Sequence, residues 1–342
     1  MRVLIDAMGG DNAPGAIVRG AVMAAREFGA EIVLIGREES IRACLSEAGA
    51  ADEPLISVVN AAEVITMEDD PANATRRKKD SSMSVMLRMM AAGEADACVS
   101  AGSTGALLSG ATLTVKRIRG IRRACFAPVL PNGGRGVMII DSGANVECTA
   151  EYLLQFGYMG SFYARRIMGC ENPRVGLLNN GAEESKGTPL QKAAYALLQE
   201  AHEAGHLNFI GNVEAGDLMN GGVDVLVCDG FSGNVLLKSV EGTAKFLMKG
   251  LKGIFLSSAK NKLAALLVKK DMKSFKAQLD VSEVGGTALL GISRPVIKAH
   301  GSSDERAVRS AVRQAIAFAQ SGIIESIEQD VSLMRVKMNE QQ

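Results

Sequence analysis

Six times along this chain of 342 residues a short apolar run ends in a small, Gly-rich polar turn and then continues as a helical pattern. The first three turns are Asp6-Ala7-Met8-Gly9-Gly10-Asp11, Ser100-Ala101-Gly102-Ser103-Thr104-Gly105 and Asp141-Ser142-Gly143-Ala144-Asn145. Farther along come Asn179-Asn180-Gly181 leading to Lys186-Gly187-Thr188, Asp229-Gly230-Phe231-Ser232-Gly233-Asn234, and His300-Gly301-Ser302-Ser303-Asp304. Repeated strand–turn–helix units fold as a parallel sheet covered on both faces, with the turns gathered along the carboxyl edge of the strands. Free helix N–H groups at that edge make an anion-binding surface. Six such turns on one edge predict a wide cleft for a phosphate-bearing substrate.

The apolar runs at 3–5, 32–35, 55–59, 95–99, 137–140, 175–178, 209–210 and 223–228 are continuous rather than alternating, as strands buried on both faces should be. Helical patterns lie between them at 14–28, 38–48, 82–92, 152–168 and 189–204. Pro14 and Pro189 mark two helix starts, and Gly29, Gly49, Gly93, Gly169 and Gly205 follow helix ends. The alternation breaks from about 241 to 279, where lysine becomes frequent and no strand pattern is found. This stretch reads as a helical insertion inside a single α/β domain covering 1–342. The sheet pattern returns at 284–292 and 296–299, and a last helix covers 303–321.

Composition narrows the function classes. Lys+Arg and Asp+Glu both number 38, so the formal charge is zero and a generally basic nucleic-acid binder is excluded. The six cysteines are scattered with no CxxC pair, which fits reduced thiols in a cytoplasmic protein rather than a zinc ribbon or disulfide framework. Cys98 and Cys228 lie in apolar runs and read as buried structural thiols. Met1 to Asp6 is a first strand, not a signal peptide. The longest uncharged stretch, 97–115, holds nine Gly, Ser or Thr residues and reads as strand, turn and helix rather than a membrane span.

Familiar cofactor signatures fail. No turn carries GxGxxG, GxxxxGK[ST] or the G-x-S-x-G elbow. His202-Glu203-Ala204-Gly205-His206 matches HExxH formally, but that chemistry needs both imidazoles on one continuing helix face. Gly205 should end the helix first, so no metal site is assigned.

The polar turn residues remain: Asp6, Asp11, Asn145, Asn180, Lys186, Asp229, Asn234 and His300. Each of the Asp and Asn residues doubles as a plausible helix N-cap. Lys186 lies on the longest and most polar turn, with Glu183 and Glu184 as alternative partners for its charge. Two basic clusters, Arg76-Arg77-Lys78-Lys79 and Lys116-Arg117-Ile118-Arg119 with Arg122-Arg123, are solvated faces or receive an acidic partner. Residues 245–276 contain nine lysines against one acid, Asp271. Leu263, Leu266 and Leu267 sit at helical spacing there, which suits either a cationic helix on an anionic membrane or a dimer contact.

Several of these segments together carry a resemblance. Asp6 through Pro14, Lys78-Lys79-Asp80-Ser81-Ser82-Met83, Ser100 through Ala106, Asp141 through Asn145, Asn179 through Gly187 and Cys228 through Asn234 resemble the PlsX family in order along nearly the whole chain. These are the acyl-ACP:phosphate acyltransferases of bacterial phospholipid synthesis. The resemblance implies a Rossmann-like three-layer α/β/α fold, akin to phosphate acetyltransferases and isocitrate dehydrogenase-like proteins, acting as a homodimer. It implies acyl transfer from acyl carrier protein to inorganic phosphate, with no metal or organic cofactor of its own. A glycerol-phosphate acyltransferase in the membrane would consume the product, so a cytoplasmic protein in reversible contact with anionic membrane is expected.

On that reading Lys186 neutralises charge at the reacting centre, Asn180 and Asn234 hydrogen-bond there, and His300 protonates the departing sulfur. Asp6, Gly9, Gly10 and Asp11 shape the first turn, Ser103 and Thr104 donate to phosphate, and Asn145 and Asp229 complete the binding set. The alternatives are a dehydrogenase of the isocitrate/isopropylmalate type that binds NAD, and a non-catalytic scaffold that holds acyl carrier protein at a membrane.

Overall fold

A computed structural model describes residues 1–272, 275 and 285–336. The strands are β1 Arg2–Asp6, β2 Glu31–Gly36, β3 Ile56–Asn60, β4 Ala97–Ser100, β5 Cys125–Ala127, β6 Val129–Leu130, β7 Val137–Ile140, β8 Arg174–Asn179, β9 Asn208–Glu214, β10 Val225–Val227, β11 Thr287–Leu290 and β12 Val296–Lys298. The helices are α1 Gly15–Phe28, α2 Glu38–Glu47, α3 Ala74–Arg77, α4 Ser82–Ala92, α5 Thr104–Gly110, α6 Ala150–Arg166, α7 Pro189–Glu203, α8 Gly230–Leu256, α9 Ala259–Leu267, α10 Glu305–Gln320 and α11 Ile323–Asp330. A π-helical turn, Ala111–Val115, extends α5.

The strands form two sheets, which corrects the expectation of a single edge. One runs β3-β2-β1-β4-β12-β11-β5 and the other β6-β7-β10-β8-β9. All pairings are parallel except those of β11 with its two neighbours and of β6 with β7. The seam between the sheets is narrow, because Ser142 N donates to Phe126 O at 3.0 Å and Ile139 N to Pro128 O at 2.9 Å. The break was hidden in sequence because β5 and β6 are three and two residues long, too short to carry a periodic signal.

Alternation along each strand builds the layers. Val3 and Ile5 of β1 face a core shared by both sheets with α1, α6, α7 and α10, whereas Leu4 faces a second core with α4 and α5. A third core joins β7 and β10 to Leu236, Leu237 and Val240 of α8. The anticipated glycine stops are all left-handed, with φ between 61° and 76° at Gly29, Gly49, Gly93, Gly169 and Gly205. Pro14 precedes its helix as the N-cap, whereas Pro189 is its first residue.

The insertion does not begin at a break. α8 is one helix of 27 residues, about 40 Å long, that starts at Gly230 in the β10 turn. Past Glu241 its Phe246, Leu247, Ile254 and Leu256 are exposed, Phe246 at 75%, Met248, Leu251 and Phe255 are half-buried, and α9 has no buried residue. Residues 273, 274 and 276–279 of the expected insertion, and residue 284 of the expected strand, lie outside the described residues. No described helix is long and apolar enough to cross a membrane.

Candidate active site

β1, β4 and β12 are neighbours in the first sheet, so their carboxyl ends align. Asp6, Ser100 and Lys298 fall in one register across the three strands. Ser100 Oγ donates to Asp6 Oδ2 at 2.7 Å, and Met8 N donates to Asp6 Oδ1 at 3.3 Å. Burial raises the Asp6 carboxyl above the ordinary range, while hydrogen bonds from Ser82 and Ser100 and the charge of Lys298 oppose the shift. Lys298 Nζ donates to Ala101 O at 3.3 Å and to Ala299 O. Burial pushes its ammonium down to about 8, against the pull of Asp6 and Asp11.

Lys298 was missed by sequence reasoning. The signal was a lone lysine inside the apolar run at 296–299, two residues before His300. Only 9% of it is exposed, an unusual place for a lysine.

Glycine lets the three turns meet. A Cβ on Gly9 would sit 2.6 Å from both Asp6 Oδ2 and Gly102 N. Gly10 adopts φ +103°, and a Cβ there would meet Gly301 O at 2.9 Å. Asp11 N donates to that same carbonyl at 2.8 Å, and Asn12 Nδ2 reaches Ser302 O and Ser303 O, each at 3.2 Å. Ser103 is buried and caps α5 by accepting from Ala106 N at 3.5 Å, whereas Thr104, the first residue of α5, is exposed. The Asp11 side chain is exposed beside Gly301.

The second sheet supplies the other three turns, from β7, β10 and β8. Asp141 is fully buried and accepts from Phe126 N at 2.9 Å, Asn145 N at 2.6 Å and Asn145 Nδ2 at 3.0 Å. Burial raises its carboxyl to about 6 although each of these donors favours the charged form. Asn145 Nδ2 also donates to Ala124 O at 2.8 Å, and Asn145 O accepts from Gly230 N at 2.7 Å. Asn145 therefore ties the β7 turn to the β10 turn and to the segment before β5. Asp229 caps α8 through Ser232 N and Ser232 Oγ, both at 2.8 Å.

Three predicted side chains of this sheet stand free of that packing. The β8 loop is braced through its backbone: Asn179 Nδ2 donates to Lys186 O at 3.2 Å, and Asn212 Nδ2 to Glu183 O at 2.9 Å. Lys186 is exposed and has no acidic group within 4 Å among the described residues, while Glu184 is engaged by Tyr195 Oη at 3.0 Å. Asn180 is exposed at the strand end. Asn234 is exposed on the first turn of α8, with Gly143 opening space beside it.

α8 links the two sets of turns. Its Lys238, paired with Glu241 at 2.9 Å, acts electrostatically on both His300 and Lys298 across the cleft. Burial and then Lys238 hold His300 below its ordinary value, which favours the neutral imidazole. Ser302 N lies 3.2 Å from His300 Nδ1 and Ser302 Oγ lies 2.9 Å from it, which assigns Nδ1 as acceptor and places the ring proton on Nε2. The edge of the first sheet together with α8 therefore offers glycine-lined backbone, the cations Lys298 and Lys238 and one imidazole proton, while Lys186 and Asn180 stand on the separate β8 loop. Such a set is chemically suited to an anion and to negative charge that develops beside it.

The HExxH match does not form its helical face. α7 ends at Glu203, Gly205 is left-handed, and His202 Nδ1 lies 3.1 Å from Leu207 O.

Residues 1–326 match the family described as fatty acid synthesis protein. The chain is 49% identical to a phosphate acyltransferase of Oceanobacillus iheyensis over 316 residues, 92% of each chain. It is 49% identical to a phosphate acyltransferase of Geobacillus thermodenitrificans over 333 residues, 97% of this chain and 99% of the other. Among solved structures it superposes on a phosphotransacetylase from Streptococcus pyogenes with TM-score 0.63 at 19% identity, covering 93% and 94% of the two chains. A branched-chain phosphotransacylase from Enterococcus faecalis follows the same fold, with TM-score 0.53 at 15% identity and coverage of 93% and 98%.

Proposed function

The chain belongs to the fatty acid synthesis protein family, the PlsX family of phosphate acyltransferases, and is an enzyme of acyl transfer to phosphate; we propose that its donor is a fatty acyl thioester on acyl carrier protein and its product an acyl phosphate for phospholipid synthesis. The observation that carries the site assignment is an exposed Lys186 with no ion-pair partner among the described residues, on one of two sets of glycine-rich turns.

Phosphate is already an anionic nucleophile, and a thiol with pKa near 8.5 leaves with modest help. The residues therefore need mainly to hold phosphate against the thioester carbonyl and steady the tetrahedral oxyanion. In the proposed path, Gly9, Gly10, Ser103 and Thr104 cradle phosphate, with Asp6 and Asp11 fixing the first turn. A phosphate oxygen bonds to the acyl carbon while Lys186, Asn180 and Asn234 meet the oxyanion. The C–S bond then breaks with the His300 Nε2–H hydrogen-bonded to the departing sulfur, and the proton released by hydrogen phosphate ends on that thiolate. Asn145 and Asp229 act by holding the second set of turns in shape.

The deciding experiment measures free carrier thiol released from acyl carrier protein loaded with a hexadecanoyl chain. Release that requires phosphate and yields acyl phosphate supports the reading. Release independent of phosphate, or no release, overturns the assignment of acyl carrier protein as the donor.

An acyl phosphate with a fatty chain suits delivery at a membrane, where a glycerol-phosphate acyltransferase would consume it. Leu263, Leu266 and Leu267 of α9 are between 62% and 80% exposed, among lysines that each gain about 1 kcal/mol near an anionic leaflet. We expect reversible binding to anionic vesicles, weakened by salt and lost in Leu263→Asp with Leu267→Asp, while the dimer and activity on carrier-bound substrate persist. If that variant falls to monomers, the stripe is the homodimer contact instead.

A further inference from the structure

The two basic clusters singled out in the sequence are treated differently by the fold. In the later one, Arg122 pairs with Glu151 at 3.1 Å, and the Arg123 guanidinium lies 5.5 Å from the Tyr152 ring centre. In the earlier one only Lys78 turns inward, to Asp69 at 2.6 Å. Arg76, Arg77 and Lys79 face outward together with Arg88 of α4, whose guanidinium donates to Lys79 O. None of these four has an acidic group within 4 Å among the described residues, and Asp70 feels Arg77 only from farther off.

The four cations line an open recess of about 720 Å³, with Leu113 and Thr114 on its other side. Leu113 is 55% exposed. Four like charges around one hollow repel one another until an anionic surface covers them, and in a chain of zero net charge they stand out from the background.

We propose that this recess, and not the Arg122–Arg123 cluster, docks the acidic carrier protein that delivers the acyl thioester; this rests on the donor proposed above. Position supports the choice as much as charge. Ser84 in the recess wall lies two residues along α4 from Ser82, which hydrogen-bonds Asp6 in the cleft. On the other side, one helical run leads from Ser103 in the cleft to Thr114 in the recess, about 16 Å along the axis. A carrier arm as long as five extended residues spans roughly 17 Å. A carrier seated here holds its thioester at the cleft, and the exposed Leu113 adds an apolar contact beside the charges.

The test compares Arg76→Glu with Arg77→Glu against Arg122→Glu with Arg123→Glu, at low salt where surface charge is least screened. Each is assayed with hexadecanoyl carrier protein and with a hexadecanoyl pantetheine thioester lacking the protein. The first variant should raise KM for the carrier-bound donor about ten-fold while kcat/KM for the small thioester stays at wild type. The second variant should change either by less than about two-fold. Direct binding of the carrier protein, followed by fluorescence anisotropy, should weaken in parallel for the first variant alone. Unchanged carrier binding in the first variant, or a larger loss in the second, overturns the proposal. A wild type that binds the carrier through this recess but makes no acyl phosphate from either donor sinks the functional reading and leaves the docking surface standing. Equal loss with both donors marks Arg76 and Arg77 as structural and also overturns it.

Discussion

At the carboxyl edge of the first sheet, Asp6, Ser100 and Lys298 share one register, are at most 9% exposed, and are tied to one another or to backbone. At the corresponding edge of the second sheet, the backbone is also braced, but Lys186, Asn180 and Asn234 are exposed, with their polar ends unengaged by acidic groups among the described residues. One set of turns is a bed already shaped by packing; the other carries arms. A bed preorganised during folding needs no rearrangement when phosphate arrives, and free side chains can engage charge that exists only in the transition state. The difference divides the effects of mutation into two kinds, on stability and on rate.

The largest effect on rate should come from Lys186→Ala. Removal of a single group that stabilises the transition state costs about 100- to 1,000-fold. Because Lys186 is exposed and contributes only backbone to its loop, Tm should stay within about 2 °C of wild type. Phosphate-dependent transfer assayed beside thermal unfolding checks both halves. Wild-type turnover in the folded variant breaks the comparison on its catalytic side.

Gly9→Ala should do the opposite. A Cβ 2.6 Å from Asp6 Oδ2 and from the Gly102 backbone forces apart two turns that have no slack, a cost of about 1–3 kcal/mol. Tm should fall by several degrees, and the folded fraction should show a raised KM for phosphate with kcat less affected. If Gly9→Ala unfolds at the wild-type temperature, the first set of turns is not the rigid bed described here.

The same division explains what was legible in the sequence. The strand-to-helix turns were readable because glycine, asparagine and aspartate at strand ends have few structural alternatives, and nearly every long apolar run became a strand. Their split between two sheets was not, since β5 and β6 are too short to register and the antiparallel β11 looks in sequence like any buried strand. Exposed polar residues such as Lys186 and Asn234 drew attention because they stand out against glycine. Lys298 did not, because a lysine within an apolar run reads as a strand end until the fold shows its ammonium under two carbonyls. The roles of Ser100 and Ser82 were hidden for a related reason: their hydroxyls act on Asp6 from other elements, and no local pattern encodes a contact such as that of Ser100, 94 residues away.

The smallest expected effect tests whether the buried bed is also charged. Lys298 is pushed down to about 8, so in the folded protein its cation is lost as pH rises through that value. If its charge helps to hold phosphate, kcat/KM for phosphate should fall about two-fold by pH 8 and about ten-fold by pH 9, relative to its plateau, in the manner of a single group. Phosphate's own ionisation contributes equally in any variant, so the informative quantity is the ratio to Lys298→Arg, which stays charged throughout. That ratio should decline above pH 8 if the arginine variant folds and remains active. Stability must move the other way. A lysine whose folded pKa is depressed stabilises the fold above its unfolded value near 10.5, and that contribution is lost as pH falls through 8. Between pH 8 and 10.5 this group therefore adds roughly 3 kcal/mol at most while its effect on activity fades. Thermal unfolding of wild type against Lys298→Met, followed over the same pH range, should show the Met variant's advantage shrinking as pH rises. A rate loss above pH 8 that Lys298→Arg shares in full would leave Lys298 as a neutral-capable brace between β4 and β12, with no charge offered to the substrate.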